Sequence, residues 1–217
     1  MTSELPCCLL VVAKAPVPGL AKTRLAASIG SEAAADVAAA ALLDTLDAVL
    51  ATPVTQRVVA FTGDLTAAAR AAELAERLRS FRVVEQRGDD FAQRLRAAHQ
   101  DSDTGLPVLQ IGMDTPQVTA QLLESCARLL LDHDAALGLA GDGGWWALGV
   151  QNAAMAAFLA DVPMSRSDTG AQTLAGLRAT GADVVLLPEL DDVDELHDVA
   201  AVRAACSPSS RFAAVGI

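Results

Sequence analysis

The chain has 217 residues, 52% hydrophobic and 20% charged, with a formal net charge of −11. That length supports one sizeable core and is short for two full domains. The acidic balance and an aromatic content of 3% with no tyrosine argue against nucleic acid as a partner, because phosphate backbones recruit Lys and Arg and single strands recruit aromatic platforms. Arg, Asp, Glu or Gln interrupts every apolar run before it reaches the length of a membrane span. The opening "MTSELPCCLLVVAKAP" lacks a basic stretch ahead of its brief apolar run, so it reads as the first strand of a cytoplasmic protein rather than a signal peptide. Cys7, Cys8, Cys126 and Cys206 with His99, His133 and His197 show no CxxC or zinc spacing, which leaves idle thiols as the reading.

Strand-length apolar runs alternate with Ala/Leu-rich stretches of helical period. "CLLVVAK" predicts a strand, and residues 31–50 a helix with Ser31 as its cap. "RVVAFTG" predicts a strand, residues 64–80 a helix, "FRVVEQ" a short strand and residues 89–100 a helix. "LPVLQIGMD" predicts the fourth strand and residues 118–133 its helix. The rhythm then changes: "DAALGLA" and "WWALGV" predict two strands around the turn "GDGG". Residues 152–162 and 169–180 read as helices, "ADVVLLPEL" as a last strand and residues 193–206 as a last helix. A tail from Ser207 is expected to fray. Repeated strand–helix units imply an α/β fold with a mostly parallel, Rossmann-like sheet covered on both faces and an antiparallel element near residues 134–150. One unit over residues 1–206 and a tail over 207–217 is the expected organisation.

Ligands of such sheets sit beyond the carboxyl ends of the strands, so the residues after each strand are the candidates. The first strand runs into "AKAPVPGLAKTRL", from Ala13, a loop stiffened by two prolines and Gly19 that carries Lys14, Lys22 and Arg24. It lacks P-loop order, but three cations on one loop of an acidic chain suit an anion cradle. The fourth strand ends on Asp114, a hard oxygen donor suited to Mg²⁺ or Mn²⁺. Magnesium takes few protein carboxylates, so a partner acid is expected elsewhere, and "ELDDVDELHDV" offers Asp191, Asp192 and Asp194 against the plainer reading of an acidic helix start. "GDGGWW" suggests a turn that lets a ligand approach backbone, with Asp142 reaching into the cleft, one of Trp145 and Trp146 in the core and the other on the opposite face. In "SRSDTGAQTL", Ser167, Asp168 or Thr169 can cap the following helix or face a ligand.

The stretches "AKAPVPGLAKTRL", "GDDFAQRL", "IGMDTP", "GDGGWWALGV", "SDTGAQTL" and "LPELDDVDELHDV" occur in an order that resembles the nucleotide-diphospho-sugar transferase superfamily with the glycosyltransferase-A fold. More narrowly the chain resembles a bacterial family of uncharacterised glycosyltransferase-like proteins linked to arsenosugar biosynthesis, itself similar to phospholactate and molybdenum-cofactor guanylyltransferases. The resemblance implies a three-layer sandwich in which Lys22 and Arg24 meet nucleotide phosphates and Gln86, Gly88 and Asp89 lie near the base. It implies Asp114 and Asp194 as metal ligands, and Asp142, Gly143 and Gly144 on the acceptor side. The chain departs from the pattern at Gly141, where an acid is common, at Trp145 and Trp146, where tyrosines are common, and at Glu195 and Leu196 after the last acid.

The expected activity is a metal-dependent transfer, glycosyl or nucleotidyl, from a nucleotide sugar or nucleoside triphosphate to a small acceptor. Ala13, Lys14 and Gly19 join the nucleotide site, and Trp145, Asp168 and Thr169 join Asp142 on the acceptor side. Lys22, Asp114 and Asp142 carry the chemistry, Asp142 as acceptor-positioning group or base. A homodimer is left open. The competing reading is a non-catalytic nucleotide-binding or regulatory protein that keeps the fold; turnover with metal and a donor panel discriminates the two.

Overall fold

A computed structural model describes residues 4–216. Met1–Ser3 and Ile217, the ends of the expected unit and tail, lie outside the described residues. The strands are β1 (Leu5–Lys14), β2 (Val54–Thr62), β3 (Arg82–Glu85), β4 (Val108–Ile111), β5 (Ala135–Leu139), β6 (Trp145–Val150) and β7 (Val184–Leu186). They form one sheet in the order β3-β2-β1-β4-β6-β5-β7. All neighbours pair in parallel except β6, which runs antiparallel to both β4 and β5. The antiparallel element expected near residues 134–150 is therefore one reversed strand inside a parallel sheet.

Strand alternation divides the core into two layers. Leu9, Val11 and Ala13 of β1 face one side, where α2 (Ser31–Ala51), α3 (Ala71–Leu78) and α5 (Ala120–Asp132) supply Leu42, Leu46, Leu74 and Leu123. Cys8, Leu10 and Val12 face the other side, under α4 (Phe91–Ser102) and α6 (Thr169–Ala179), with Leu95 and Leu177. A third cluster joins α1 (Thr23–Ile29), α2, α7 (Leu196–Ala205) and α8 (Arg211–Ala214) through Leu25, Val37, Val199 and Phe212.

Four local expectations are corrected. Ser31 opens α2 but makes no capping bond; Gly30, at φ 88°, holds the cap position. The helix expected over 64–80 splits into a 3-10 turn, Leu65–Ala67, and α3, because the Asp64 side chain accepts the Thr66 N–H and closes the turn locally. Ala153–Asp161 is a 3-10 helix, and its buried residues Ala153, Ala156 and Leu159 recur every third position, the period of that helix. The tail does not fray at residues 211–214: Asp44 of α2 accepts the backbone N–H groups of Arg211 and Phe212 at 3.0 and 2.8 Å, and Phe212 is fully buried.

All four cysteines are buried, and burial pushes the Cys7 and Cys8 thiols up to about 12, which keeps them protonated and inert. His99 on α4 is fully buried beside the Gln110 side chain, and no hydrogen bond of good geometry reaches its ring nitrogens. Burial lowers its pKa to about 4, so the imidazole is neutral.

Two outcomes follow from this packing. Phe212→Ala should lower stability by about 3–5 kcal/mol, the range for deleting a buried phenyl ring, measured as a shift in urea midpoint at constant slope. His99 protonates in the unfolded chain near pH 6.5 but in the folded chain only near pH 4, so its contribution falls as pH drops through that window. Asp192, raised to about 6, contributes in the opposite sense over part of the same range. The stability of wild type minus that of His99→Phe should therefore decline between pH 6.5 and 4, and a difference independent of pH would refute a neutral buried His99.

Candidate functional site

The sheet order reverses between β1 and β4, because the chain crosses from β1 to β2 on one side and later places β4 on the other. Such a switch point opens a crevice at the carboxyl ends of the two strands. Here it is a cleft of about 750 Å³ whose wall includes Lys14, Arg24, Gln86, Asp114, Asp142, Gly144, Trp145, Asp192 and Asp194.

Lys22 ends the loop after β1 and precedes α1 in a left-handed conformation, φ 45° and ψ 52°, which costs a side-chain-bearing residue about 1–2 kcal/mol. The conformation delivers its ammonium to Asp114 Oδ2 at 2.6 Å, with the two side chains 10% and 31% exposed. Burial works against the Lys22 charge, but Asp114, with Asp192 and Asp194 farther off, holds the ammonium above its ordinary pKa. Arg24, in the first turn of α1, pairs with Asp194 in a more exposed position. The cations and acids expected on opposite sides of the cleft thus meet one to one.

The acidic loop between β7 and α7 is fixed by bonds from three directions. The Trp146 indole N–H donates to the Pro188 carbonyl at 2.9 Å. Gln117 Nε2 donates to the Asp191 carbonyl, and the Val193 N–H donates to the Asp114 carbonyl at 3.3 Å. Asp191 spends Oδ1 on the Gly141 N–H and serves the loop. Asp192 and Asp194 line the cleft. The Asp192 carboxyl is pushed up to about 6, first by burial and then by Asp114, with Asp142 and Asp194 adding and Lys22 opposing.

The turn between β5 and β6 corrects one expectation. A Cβ at Gly143, φ 87°, would overlap the Ser167 carbonyl, and one at Gly170 would overlap the Gly144 carbonyl. The Gly170 N–H donates to the Gly143 carbonyl at 2.8 Å. At Gly143 the close approach is thus to protein backbone, seating the turn on the start of α6. Asp142 closes the turn by accepting the Gly144 N–H on Oδ1 at 2.7 Å. Trp146 is 3% exposed in the core and Trp145 faces the cleft, as alternation requires.

The other candidates divide. Ala13 and Lys14 line the cleft; the Ala13 carbonyl accepts from Gln86 Nε2, which also donates to Ala60, at 2.8 and 2.9 Å. Gln86 is therefore locked across the ends of β1 and β2. Lys14 Nζ donates to the Leu20 carbonyl. Gly19, Lys22, Gly88, Asp89, Gly143 and Asp168 stand off the cleft wall, Lys22 behind Asp114, its wall-lining partner. Gly19 occupies a positive-φ turn, and the Gly88 carbonyl accepts from Arg94 Nε at 3.1 Å. The Asp89 N–H donates to Gln93 Oε1, and Asp168 accepts from Arg166 Nε and Gln172 Nε2. Thr169 lines the cleft but is 5% exposed and donates its hydroxyl to the Pro163 carbonyl. Sequence reasoning missed Phe91, Arg94, Gln110, Thr115 and Met164, all on the wall. Arg94 was findable: with Asp90 as the cap of α4, it sits one turn in, level with the cleft.

Among the described residues no three His, Cys, Asp or Glu side chains are grouped to hold a metal, which excludes a protein-only cage of the zinc type. Four carboxylates, Asp114, Asp142, Asp192 and Asp194, line one cleft, and burial followed by the charge of Asp114 raises the Asp192 carboxyl. That arrangement fits an ion held by one or two carboxylates and completed by water and ligand oxygens.

A search of curated proteins found no match. A proposed nucleotide-diphospho-sugar transferase from Desulfovibrio desulfuricans G20 is 25% identical, with a TM-score of 0.81 over 96% of this chain and 93% of that one. A nucleotidyl transferase from Methanothermobacter is 18% identical with a TM-score of 0.57, covering 97% of this chain and 99% of that one. A Mycobacterium tuberculosis H37Rv protein in complex with manganese is 18% identical with a TM-score of 0.56, covering 90% of this chain and 97% of that one. The model of a family described as uncharacterized proteins conserved in bacteria, DUF2064, matches residues 45–166, more than half of the chain. The chain belongs to that bacterial family and has the fold of the nucleotide-diphospho-sugar transferase superfamily.

Proposed function

We propose that the protein is a divalent-metal-dependent transferase that takes a nucleotide sugar or nucleoside triphosphate as donor and transfers a glycosyl or nucleotidyl group to a small acceptor. The observation that carries this reading is the meeting of Lys22 with Asp114 and Arg24 with Asp194 at the switch point of the sheet. The 25% identity to a proposed nucleotide-diphospho-sugar transferase over nearly the whole chain supports it. The acidic composition is compatible with an anionic ligand only where local cations and a metal offset it.

In this reading Asp114 and Asp194 would hold Mg²⁺ or Mn²⁺, which would supply positive charge to the donor phosphates. Lys22 and Arg24 add fixed positive charge to the same oxygens. Ala13, Lys14, Gly19 and Gln86 shape the nucleotide side, with Gly88 and Asp89 setting the turn that aims α4 and Arg94. Asp142 keeps one carboxylate oxygen on its own turn and offers the other to the acceptor, while Gly144, Trp145 and Thr169 form the surface behind it. Gly143 and Asp168 hold that surface together through the bonds described above. The residues act as one unit of residues 1–206 with the remaining tail, and the chain works on small molecules without nucleic acid. No helix among the described residues is long and apolar enough to cross a membrane.

The test is a thermal-shift screen over nucleoside triphosphates and nucleotide sugars, with and without Mg²⁺ or Mn²⁺. A donor at a hundred times its dissociation constant adds about 2.7 kcal/mol, a rise of several degrees, and the rise should require metal. Asp114→Ala should remove the metal requirement together with most of the shift. A full shift that persists without metal in that variant would sink the assignment.

A further inference from the structure

Lys22 and Arg24, the cations assigned above to donor phosphates, are already committed to the two carboxylates assigned to the metal. The two commitments differ in depth. The Lys22 side chain is 10% exposed, whereas the Arg24 side chain is 68% exposed. A charge buried as deeply as Lys22 needs an opposite charge against it at all times.

We propose that Lys22, and to a smaller extent Arg24, are internal counter-ions that occupy Asp114 and Asp194 until a divalent ion replaces them, so that the site takes metal and phosphate together, as a nucleotide–metal complex, in preference to either alone. The inference rests on the reading of Asp114 and Asp194 as metal ligands. A divalent ion at Asp114 withdraws the counter-charge of a buried ammonium, and a phosphate oxygen is the group that restores it. A phosphate that draws Lys22 away leaves Asp114 uncompensated beside Asp142, Asp192 and Asp194, and the ion restores that balance. Each ligand therefore removes the cost of the other, and the coupling is reciprocal. Arg24 is 68% exposed and Asp194 37%, and an ion pair so open to water contributes little, so the same exchange there is smaller.

The probe is Mn²⁺ alone, its free concentration read by electron paramagnetic resonance against full-length protein at neutral pH and low salt, with no nucleotide present. Lys22→Met removes the competing cation and should bind Mn²⁺ about tenfold more tightly than wild type, within the usual range for coupled sites. Arg24→Gln should gain about twofold, as an exposed pair allows, and Asp114→Asn should lose binding. A gain of affinity on deleting a buried, ion-paired side chain is the reverse of what damage to the fold would give. If Asp114→Asn weakens binding while Lys22→Met binds no more tightly than wild type, the counter-ion role is wrong and the metal reading stands. If no variant binds Mn²⁺, the metal reading fails and takes this inference with it. Should Lys22→Met lack a cooperative thermal transition, Arg24→Gln decides, and affinity equal to or below wild type overturns the proposal.

Discussion

An ammonium taken out of water must rest against a carboxylate, and in this chain that requirement joins the two halves of the cleft. Lys22 belongs to the loop after β1 and Asp114 to the end of β4, 92 residues apart in sequence. Their contact fixes how the basic loop closes over the sheet, and α1 begins immediately after it. Leu25 of α1 is then fully buried with Val193 and Val199, so the helix that carries Arg24 packs on the segment that carries Asp194. The same acid fixes the far side through its backbone, since the Asp114 carbonyl receives the Val193 N–H. One residue thus sets the spacing of cations and acids by side chain and main chain together.

The reversed strand β6 completes the cleft for a related reason. An antiparallel strand next to β4 returns the β5–β6 turn to the carboxyl edge of the parallel strands. A parallel strand in that place would need a crossover and would deliver its turn to the opposite edge. Asp142, Gly144 and Trp145 reach the cleft because of this reversal. The turn must also seat on the start of α6, and only glycine at 143 and 170 leaves room for the carbonyl groups that meet there.

Much of the fold was legible because it rests on periodicity. The apolar runs that became β1, β2 and β4, and the reversed pair around "GDGG", follow from alternation and turn chemistry. What was not legible depends on contacts between distant segments. Helix α1 lay hidden inside a Pro/Gly-rich basic loop, and it forms because Leu25 finds a cavity that no local pattern announces. Residues 152–162 carry a helical period, yet burial at every third residue wound them as a 3-10 helix. Phe212 looked like part of a frayed end and is held by Asp44, 168 residues away. In the cleft, the cations and the acid after β4 were readable from position alone. Gln110 and Thr115 were not, since each is an ordinary residue until the packing of β4 and the segment after it turns it toward the wall.

The acidic run after β7 shows how such ambiguity resolves. In sequence, Asp191, Asp192 and Asp194 are equivalent candidates beside a helix start. In the fold they separate by what their neighbours demand. Asp191 is consumed on both sides, its side chain by the Gly141 N–H and its carbonyl by Gln117. Asp194 meets Arg24 at the open side of the cleft. Asp192 has burial and three neighbouring carboxylates around it, with Lys22 as the opposing charge. Among these three acids, Asp191 is set apart because the loop has already claimed its side chain and its carbonyl. The donors that claim Asp191 are the Gly141 N–H and the Gln117 side-chain amide ahead of α5, in segments fixed only when the sheet is complete.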